Sequence, residues 1–331
     1  MRLSSRPSED ELIAHFFAPL ACEGGLGLKD DAALLRPAAG HDLVLTVDAL
    51  VAGVHFFPDD PPDAIAVKAL GVNISDLAAK GASPAGFLLA LALPNDWSEA
   101  WLAAFAESLG EAARAFACPL LGGDTVRADG ALSLSVTAVG QVPAGRMVRR
   151  TAARVGDRVC VTGTIGDAAL GLALRRGTEA PWASGLTSDE RTHLVDRYLR
   201  PRPRLVLAPV LREHARAAMD VSDGLAGDLA KMMRASGASA VVDLDTIPLS
   251  PAARTALAGD RGLMERLVTG GDDYEIRCAL PEARITAFLQ ASAAAGVPAA
   301  VIGTVIEGDG LPLFRGEGCD RRFEAGSFSH F

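Results

Sequence analysis

Acidic residues recur along this chain at loop-like positions: Asp30-Asp31, Asp48, Asp76, Asp124, Asp220 with Asp223, and Asp272-Asp273, several of them beside Gly, Ser or Thr. Two unit charges about 5 Å apart repel by roughly 3 kcal/mol at an effective dielectric of about 20. A fold that gathers several such groups therefore needs cations to hold them. Hard oxygen donors of this kind suit Mg2+, which keeps water and substrate phosphates in its shell. The pattern points to a nucleotide site built on several Mg2+ ions.

With 331 residues, 49% hydrophobic and 22% charged, the chain can bury a sizeable core, and its length suggests two domains. A net charge of −9 speaks against a nucleic-acid surface, which needs a clustered Lys/Arg stripe. Arg150, Arg200, Arg202 and Arg204 form only local basic spots, suited to a small anionic ligand or to solvated loops. Cys22, Cys118, Cys160, Cys278 and Cys319 stand far apart with no C-x-x-C pair, so reduced structural thiols are expected. Met1 to Glu11 carries no apolar signal core, and no stretch reaches about 18 uninterrupted apolar residues. A cytoplasmic protein without a membrane partner is the expectation.

Ser8 with Glu11 makes a capping box for a helix through Pro19, its apolar face formed by Leu12, Ile13, Phe16 and Phe17. A Gly-rich loop, Gly24 to Gly27, leads to Lys29-Asp30-Asp31. Leu43 to Asp48 reads as a strand, and Asp63 to Lys80 as a helix closed by Gly81, with Asn73, Asp76 and Lys80 on one polar stripe. Gly86 to Leu93 is a strand ended by Pro94, and Ser98 to Phe116 an Ala-rich helix. Leu132, Leu134, Val136 and Ala138 alternate with small polar residues, the mark of a half-buried strand in a largely antiparallel sheet. A first domain over 1–145 and a second over 146–331 follow from this layout. In the second, Arg154 to Gly163 holds a strand and Gly166 starts a helix. Helices near Asp189 to Leu199 and Arg204 to Ala218 lead to the turn Met219 to Gly224 and a helix Leu225 to Ala235. Strands near Ala240 to Leu244, Tyr274 to Leu280 and Ala299 to Ile306, with a helix Glu282 to Ala295, complete it.

Neither common nucleotide signature is present: there is no G-x-x-x-x-G-K-[ST], and Gly25-Leu26-Gly27 lacks the third Gly of the dinucleotide fingerprint. Asp243-Leu244-Asp245 imitates a haloacid-dehalogenase-type phosphatase motif but has Ile247 where that family wants Thr or Val. Gly122-Gly123-Asp124 echoes Gly270-Gly271-Asp272, and a Gly-Gly pair lets backbone approach a phosphate closely. His55 lies among apolar and aromatic residues, where a packed, hydrogen-bonded His and a ligand are both readings to weigh.

Taken in order, Gly27-Leu28-Lys29-Asp30-Asp31, Thr46-Val47-Asp48 through His55-Phe56, Asn73-Ile74-Ser75-Asp76 through Ala82, Gly122-Gly123-Asp124-Thr125, Asp220-Val221-Ser222-Asp223-Gly224-Leu225 and Gly270-Gly271-Asp272-Asp273-Tyr274-Glu275 resemble the thiamine-monophosphate kinase family. That family shares a superfamily with aminoimidazole ribonucleotide and selenophosphate synthetases. The resemblance implies a mixed α+β, PurM-like two-domain fold. Its N-terminal Mg-ATP-binding domain dimerises through its strands, its C-terminal α/β domain is sandwich-like, and ATP lies at the interdomain cleft. It implies metal ligands at Asp31, Thr46, Val47, Asp48, Asp76, Asp124, Asp220 and Asp223. ATP contacts are implied at Gly123, Asp124, Arg150 and Ser222, and substrate contacts at His55, Asp272 and Phe328.

The implied reaction is ATP plus thiamine monophosphate giving thiamine diphosphate and ADP, with Mg2+ as cofactor, a homodimer, and no acid/base or covalent catalytic residue. This chain has Lys29, Asp272 and Phe328 where the family usually has Gly, Glu and Tyr. Asp shortens the carboxylate's reach by one methylene, and Phe keeps a stacking face while losing a hydroxyl. Other readings keep parts of this: an aminoimidazole ribonucleotide synthetase-like ligase, or a non-catalytic Mg2+- and nucleotide-binding regulator. Selenophosphate synthetase is disfavoured by the lack of a Cys-Lys pair near the N-terminus, and the hydrogenase-maturation relatives by the lack of a C-terminal Cys.

Overall fold

The computed structural model describes residues 7–177, 181–316, 319–324 and 326. Its backbone falls into two compact units, Met1–Leu77 with Ser83–Gly145, and Ala78–Ala82 with Arg146–Phe331.

The first unit starts with α1 (Glu9–Leu12), where the capping box forms: Ser8 Oγ accepts from the Glu11 N–H at 3.3 Å, and the Glu11 carboxylate accepts from the Ser8 N–H at 2.8 Å. The expected helix to Pro19 does not stay α-helical. It widens into a π-turn over Ile13–Phe17 and tightens into a 3-10 turn over Ala18–Leu20, because Pro19 has no N–H to donate and restricts the residue before it. β1 (His41–Val51), α2 (Pro62–Ala79), β2 (Ser83–Pro94), α3 (Glu99–Ala115), β3 (Leu120–Ala128) and β4 (Ser133–Pro143) follow. Among the described residues the strands make one sheet in the order β1-β4-β2-β3, antiparallel except for the β2–β3 pair that α3 connects.

Alternation decides its two faces. Phe87, Leu89, Leu91 and Leu93 of β2 and Leu134, Val136 and Ala138 of β4 are buried. Leu43, Leu45 and Val47 of β1, Leu88 of β2 and Val126 of β3 are exposed on the other side. The polar stripe expected on α2 is not solvated as a whole: Asn73 is fully buried and donates to the Ala69 carbonyl.

The second unit holds β5 (Arg158–Thr162), α4 (Asp167–Arg175), α5 (Ser188–Leu199), α6 (Ala208–His214), β6 (Ala217–Asp220), α7 (Leu225–Ser236), β7 (Ser239–Asp243), α8 (Pro251–Gly259), α9 (Leu263–Thr269), β8 (Ile276–Leu280), α10 (Ile285–Ala294), β9 (Ala299–Ile306), β10 (Leu313–Gly316) and β11 (Cys319–Arg321). Its described sheet has the order β11-β10-β7-β9-β5-β8-β6 and is covered on both faces. Val159 and Val161 of β5 belong to one core with Leu170, Leu194, Leu229 and Ala253, whereas Cys160 between them joins Cys278, Leu211 and Phe288 in the other. Burial on both faces explains the near-continuous apolar run of this strand.

The helix expected over Arg204 to Ala218 ends at His214, and Ala217–Asp220 is strand instead. Local propensity favours helix for an Ala-rich run, but pairing with β8 buries Ala217 and Ala218 completely, and tertiary burial prevails. The segments that became β3, α8, α9, β10 and β11 carry no such assignment in the sequence reading.

Candidate functional site

In the first unit β1 is an edge strand, so alternate main-chain carbonyls point away from the ladder. Its register, Thr46 opposite Ala138 and Asp48 opposite Val136, turns Thr46 and Asp48 toward the buried face. There Thr46 Oγ1 donates to Asp76 Oδ2 of α2 at 2.5 Å, tying strand to helix. Val47 points its side chain to the open face and has only main-chain oxygen to offer a cation.

Asp124 sits inside β3 rather than in a loop. Its partner is Ala90, which faces the open side of the sheet. On that side Asp30, Asp31, Gly122, Gly123 and Asp124 line a cavity of about 890 Å³. The structure thus brings Asp31, Gly123 and Asp124 together, and separately Thr46, Asp48 and Asp76, on opposite faces of one sheet. Gly123 also has a packing reason: a Cβ there would collide with the Leu89 carbonyl across the parallel pair. His55 accepts the Val51 N–H at Nδ1 (3.0 Å), so its neutral ring carries the proton on Nε2.

In the second unit the two Asp motifs interlock through main chain. The Val221 N–H donates to the Glu275 carbonyl, the Tyr274 N–H to Val221 and the Asp272 N–H to Ser222, all within 2.7–2.9 Å. Approach this close needs a residue without a side chain, because a Cβ at Gly271 would run into the Ser222 carbonyl. The loop over residues 220–224 is shaped from behind by Asp228 of α7, fully buried, whose Oδ2 accepts the Ser222 and Asp223 N–H groups at 3.0 and 2.8 Å. Lys231, one turn on, reaches Asp223 at 2.5 Å and Asp228 at 3.0 Å. Burial lowers the Lys231 ammonium, but its bonds to Asp223 and Asp228 outweigh that and leave it raised. Arg277 of β8 donates to the Asp220 and Asp228 carbonyls.

Arg150 lies beside this loop, its guanidinium 4.0 Å from Met219 Sδ and its carbonyl held by Ser236. Asp272 adopts the left-handed region at φ +71° and accepts from the Tyr274 hydroxyl at 3.2 Å. The neighbouring acids are structural. Glu275 is buried between Arg197, Arg204 and Thr162. Asp273 accepts the Gly166 N–H at the start of α4, and burial pushes its carboxyl well above the usual range. Phe328 lies outside the described residues.

Among the described residues no three His, Cys, Asp or Glu side chains cluster closely enough to hold a metal by themselves. The donor set still fits Mg2+: it is all oxygen and carries formal charge, and the Lys231 ammonium already sits on Asp223 as a counter-charge. Sequence reasoning missed Asp228, Lys231 and Arg277. A weak signal existed, since Gly224, Asp228 and Lys231 follow at helical spacing.

Two family models match the chain. AIR synthase related protein, N-terminal domain, covers residues 29–142, and AIR synthase related protein, C-terminal domain, covers residues 154–314. A thiamine-monophosphate kinase of Caulobacter vibrioides is 43% identical over 313 residues, 93% of this chain and 87% of that protein. A solved thiamine-monophosphate kinase from Stenotrophomonas maltophilia K279a aligns with a TM-score of 0.80 at 41% identity, over 88% of this chain and 91% of that one. AaThiL complexed with AMPPCP and TMP aligns with a TM-score of 0.78 at 30% identity, over 91% of each chain.

Proposed function

We propose, for a chain that belongs to the thiamine-monophosphate kinase family of AIR synthase related proteins, direct transfer of the ATP γ-phosphoryl group to thiamine monophosphate. The observation that carries this reading is the interlock of the 220–225 and 270–275 motifs, which fixes Asp220, Ser222, Asp223 and Asp272 on one main-chain frame. A phosphate oxygen of thiamine monophosphate attacks the γ-phosphorus. The bond to the β–γ bridging oxygen breaks, and thiamine diphosphate and ADP are released.

In the first unit Asp31, Asp48, Asp76, Asp124 and the main-chain oxygens of Thr46 and Val47 would hold Mg2+, and in the second unit Asp220 and Asp223. Bound Mg2+ supplies charge neutralisation between two polyanions and fixes the phosphates for in-line displacement. The attacking oxygen is already anionic near neutral pH, so no side-chain base is needed, and no covalent phospho-enzyme forms. Positioning is then the protein's main contribution. Arg150 and the main chain at Gly123 contact ATP. Ser222 contacts it through its hydroxyl, because its N–H is committed to Asp228. His55 offers the substrate an Nε2–H donor, and Asp272 and Phe328 complete the substrate contacts.

On this reading 1–145 is the Mg-ATP-binding and dimerisation domain, and 146–331 supplies the remaining ATP and substrate contacts. The homodimer is supported by the exposed apolar side chains on the open face of the first sheet. A cytoplasmic site is supported by the unpaired state of Cys22, Cys118, Cys160 and Cys278. No helix of the described residues is long and apolar enough to cross a membrane. A coupled ADP-release assay tests the whole: release that requires thiamine monophosphate is expected, and ADP release indifferent to it, or none, overturns the assignment.

A further inference from the structure

The 220–224 loop presents the Asp223 carboxylate just before α7, and its charge is paired rather than left to solvent. Lys231 projects back along the helix, its ammonium 2.5 Å from Asp223 Oδ2 and 3.0 Å from Asp228 Oδ1. Asp228 uses its other oxygen on the Ser222 and Asp223 N–H groups, with the Arg277 guanidinium 3.7 Å behind it. Asp228 is wholly buried and belongs to the frame. Asp223 and Lys231 are each about a third exposed at the side chain, so their contact faces outward and can open.

We infer that Lys231 is a positioning residue that stands in for the metal: its ammonium neutralises Asp223 and keeps the loop in its metal-ready shape until Mg2+ takes its place. The inference rests on the kinase reading for the assignment of Asp223 as a metal ligand. Two features of the chemistry support it. An ammonium on a flexible four-carbon stem is a point charge that can leave without breaking the fold, whereas a buried guanidinium such as Arg277 cannot. A partly exposed ion pair is also worth little in itself, which makes the exchange inexpensive in free energy. Lys231 then has two opposite effects, supporting the metal-free loop and competing with the metal.

Mn2+ serves as the probe, titrated by electron paramagnetic resonance into wild type, Asp223→Asn, Lys231→Met and Lys231→Arg, with melting temperatures taken in chelator and in saturating Mg2+. The Mn2+ site lost in Asp223→Asn defines the site concerned. Lys231→Met is expected to bind Mn2+ there about three- to five-fold more tightly than wild type. It should also melt lower in chelator but not in saturating Mg2+, while Lys231→Arg stays near wild type in both. Unchanged or weaker Mn2+ binding in Lys231→Met, or an equal loss of melting temperature with and without Mg2+, overturns the inference and leaves Lys231 a structural ion pair. Absence of any Asp223-dependent Mn2+ site overturns it too. Failure of the kinase reading shows separately, as wild-type protein that releases no ADP in response to thiamine monophosphate.

Discussion

Replacing Asp48 or Asp124 by Asn keeps the size of the side chain and removes its charge. Each variant should lose about 10²-fold or more in turnover, by analogy with deletion of one charge-stabilising group. Turnover followed against Mg2+ concentration checks this, and activity retained by both variants at low Mg2+ contradicts the metal assignment. Asp167, the first residue of α4, gives a pH-dependent case. Burial by itself raises its carboxyl, but hydrogen bonds from His193, Ser250 and Thr164 outweigh it and hold the carboxyl below the ordinary range. A group depressed in the folded state contributes stability that is full above its unfolded pKa of about 3.9 and lost as pH falls through the folded value. Thr164→Val should therefore cost about 1.5 kcal/mol near pH 7 and little once Asp167 is protonated in both states. Denaturant unfolding followed from pH 7 down through the acid range measures the difference, and a cost that does not shrink as pH falls would refute it. The identities of the acidic residues stand in the sequence, but their environments do not. Nothing in Asp272-Asp273 says that the second is sealed against the start of α4 while the first faces the Tyr274 hydroxyl.

Among the elements, the pairing of the 220–224 and 270–275 segments is the feature most open to a small perturbation. Gly271→Ala pushes a methyl group into the Ser222 carbonyl. The resulting overpacking should cost about 1–3 kcal/mol of stability and lower turnover by displacing Ser222 and Asp223. A melting curve together with steady-state kinetics reads both effects, and a variant that matches wild type in each would show that the loops yield freely. Elements with strong periodicity or clear end signals were legible. α2 stops before Gly81 at φ +71°, Ser98 caps α3, and Thr187 with Glu190 closes a capping box on α5. β3 was not legible, because Leu121-Gly122-Gly123-Asp124 has the composition of a turn and becomes strand only through pairing with β2. β6 was hidden in the same way by its alanines.

At the scale of the whole molecule, the proposed homodimer would associate through the open face of the first sheet. Leu45 is 65% exposed and Val47 61%, in line on one edge strand. Large apolar side chains gathered there mark an interaction surface. Leu45→Glu should leave the protomer folded, since surface substitutions change stability by only about 0.5 kcal/mol, and should shift a dimer to monomer in light scattering. Dimers that survive the charge would place the interface elsewhere. Six ordered motifs were enough to identify the family and its kinase reaction, because residue types and their order along the chain are properties of the sequence itself. Only the folded chain put Asp31 and Asp124 on one face of a sheet and Asp48 and Asp76 on the other, and set Lys231 against Asp223. The physical reason is that a side chain's direction follows from strand register and helix phase, and those are decided by burial against residues far away in the sequence.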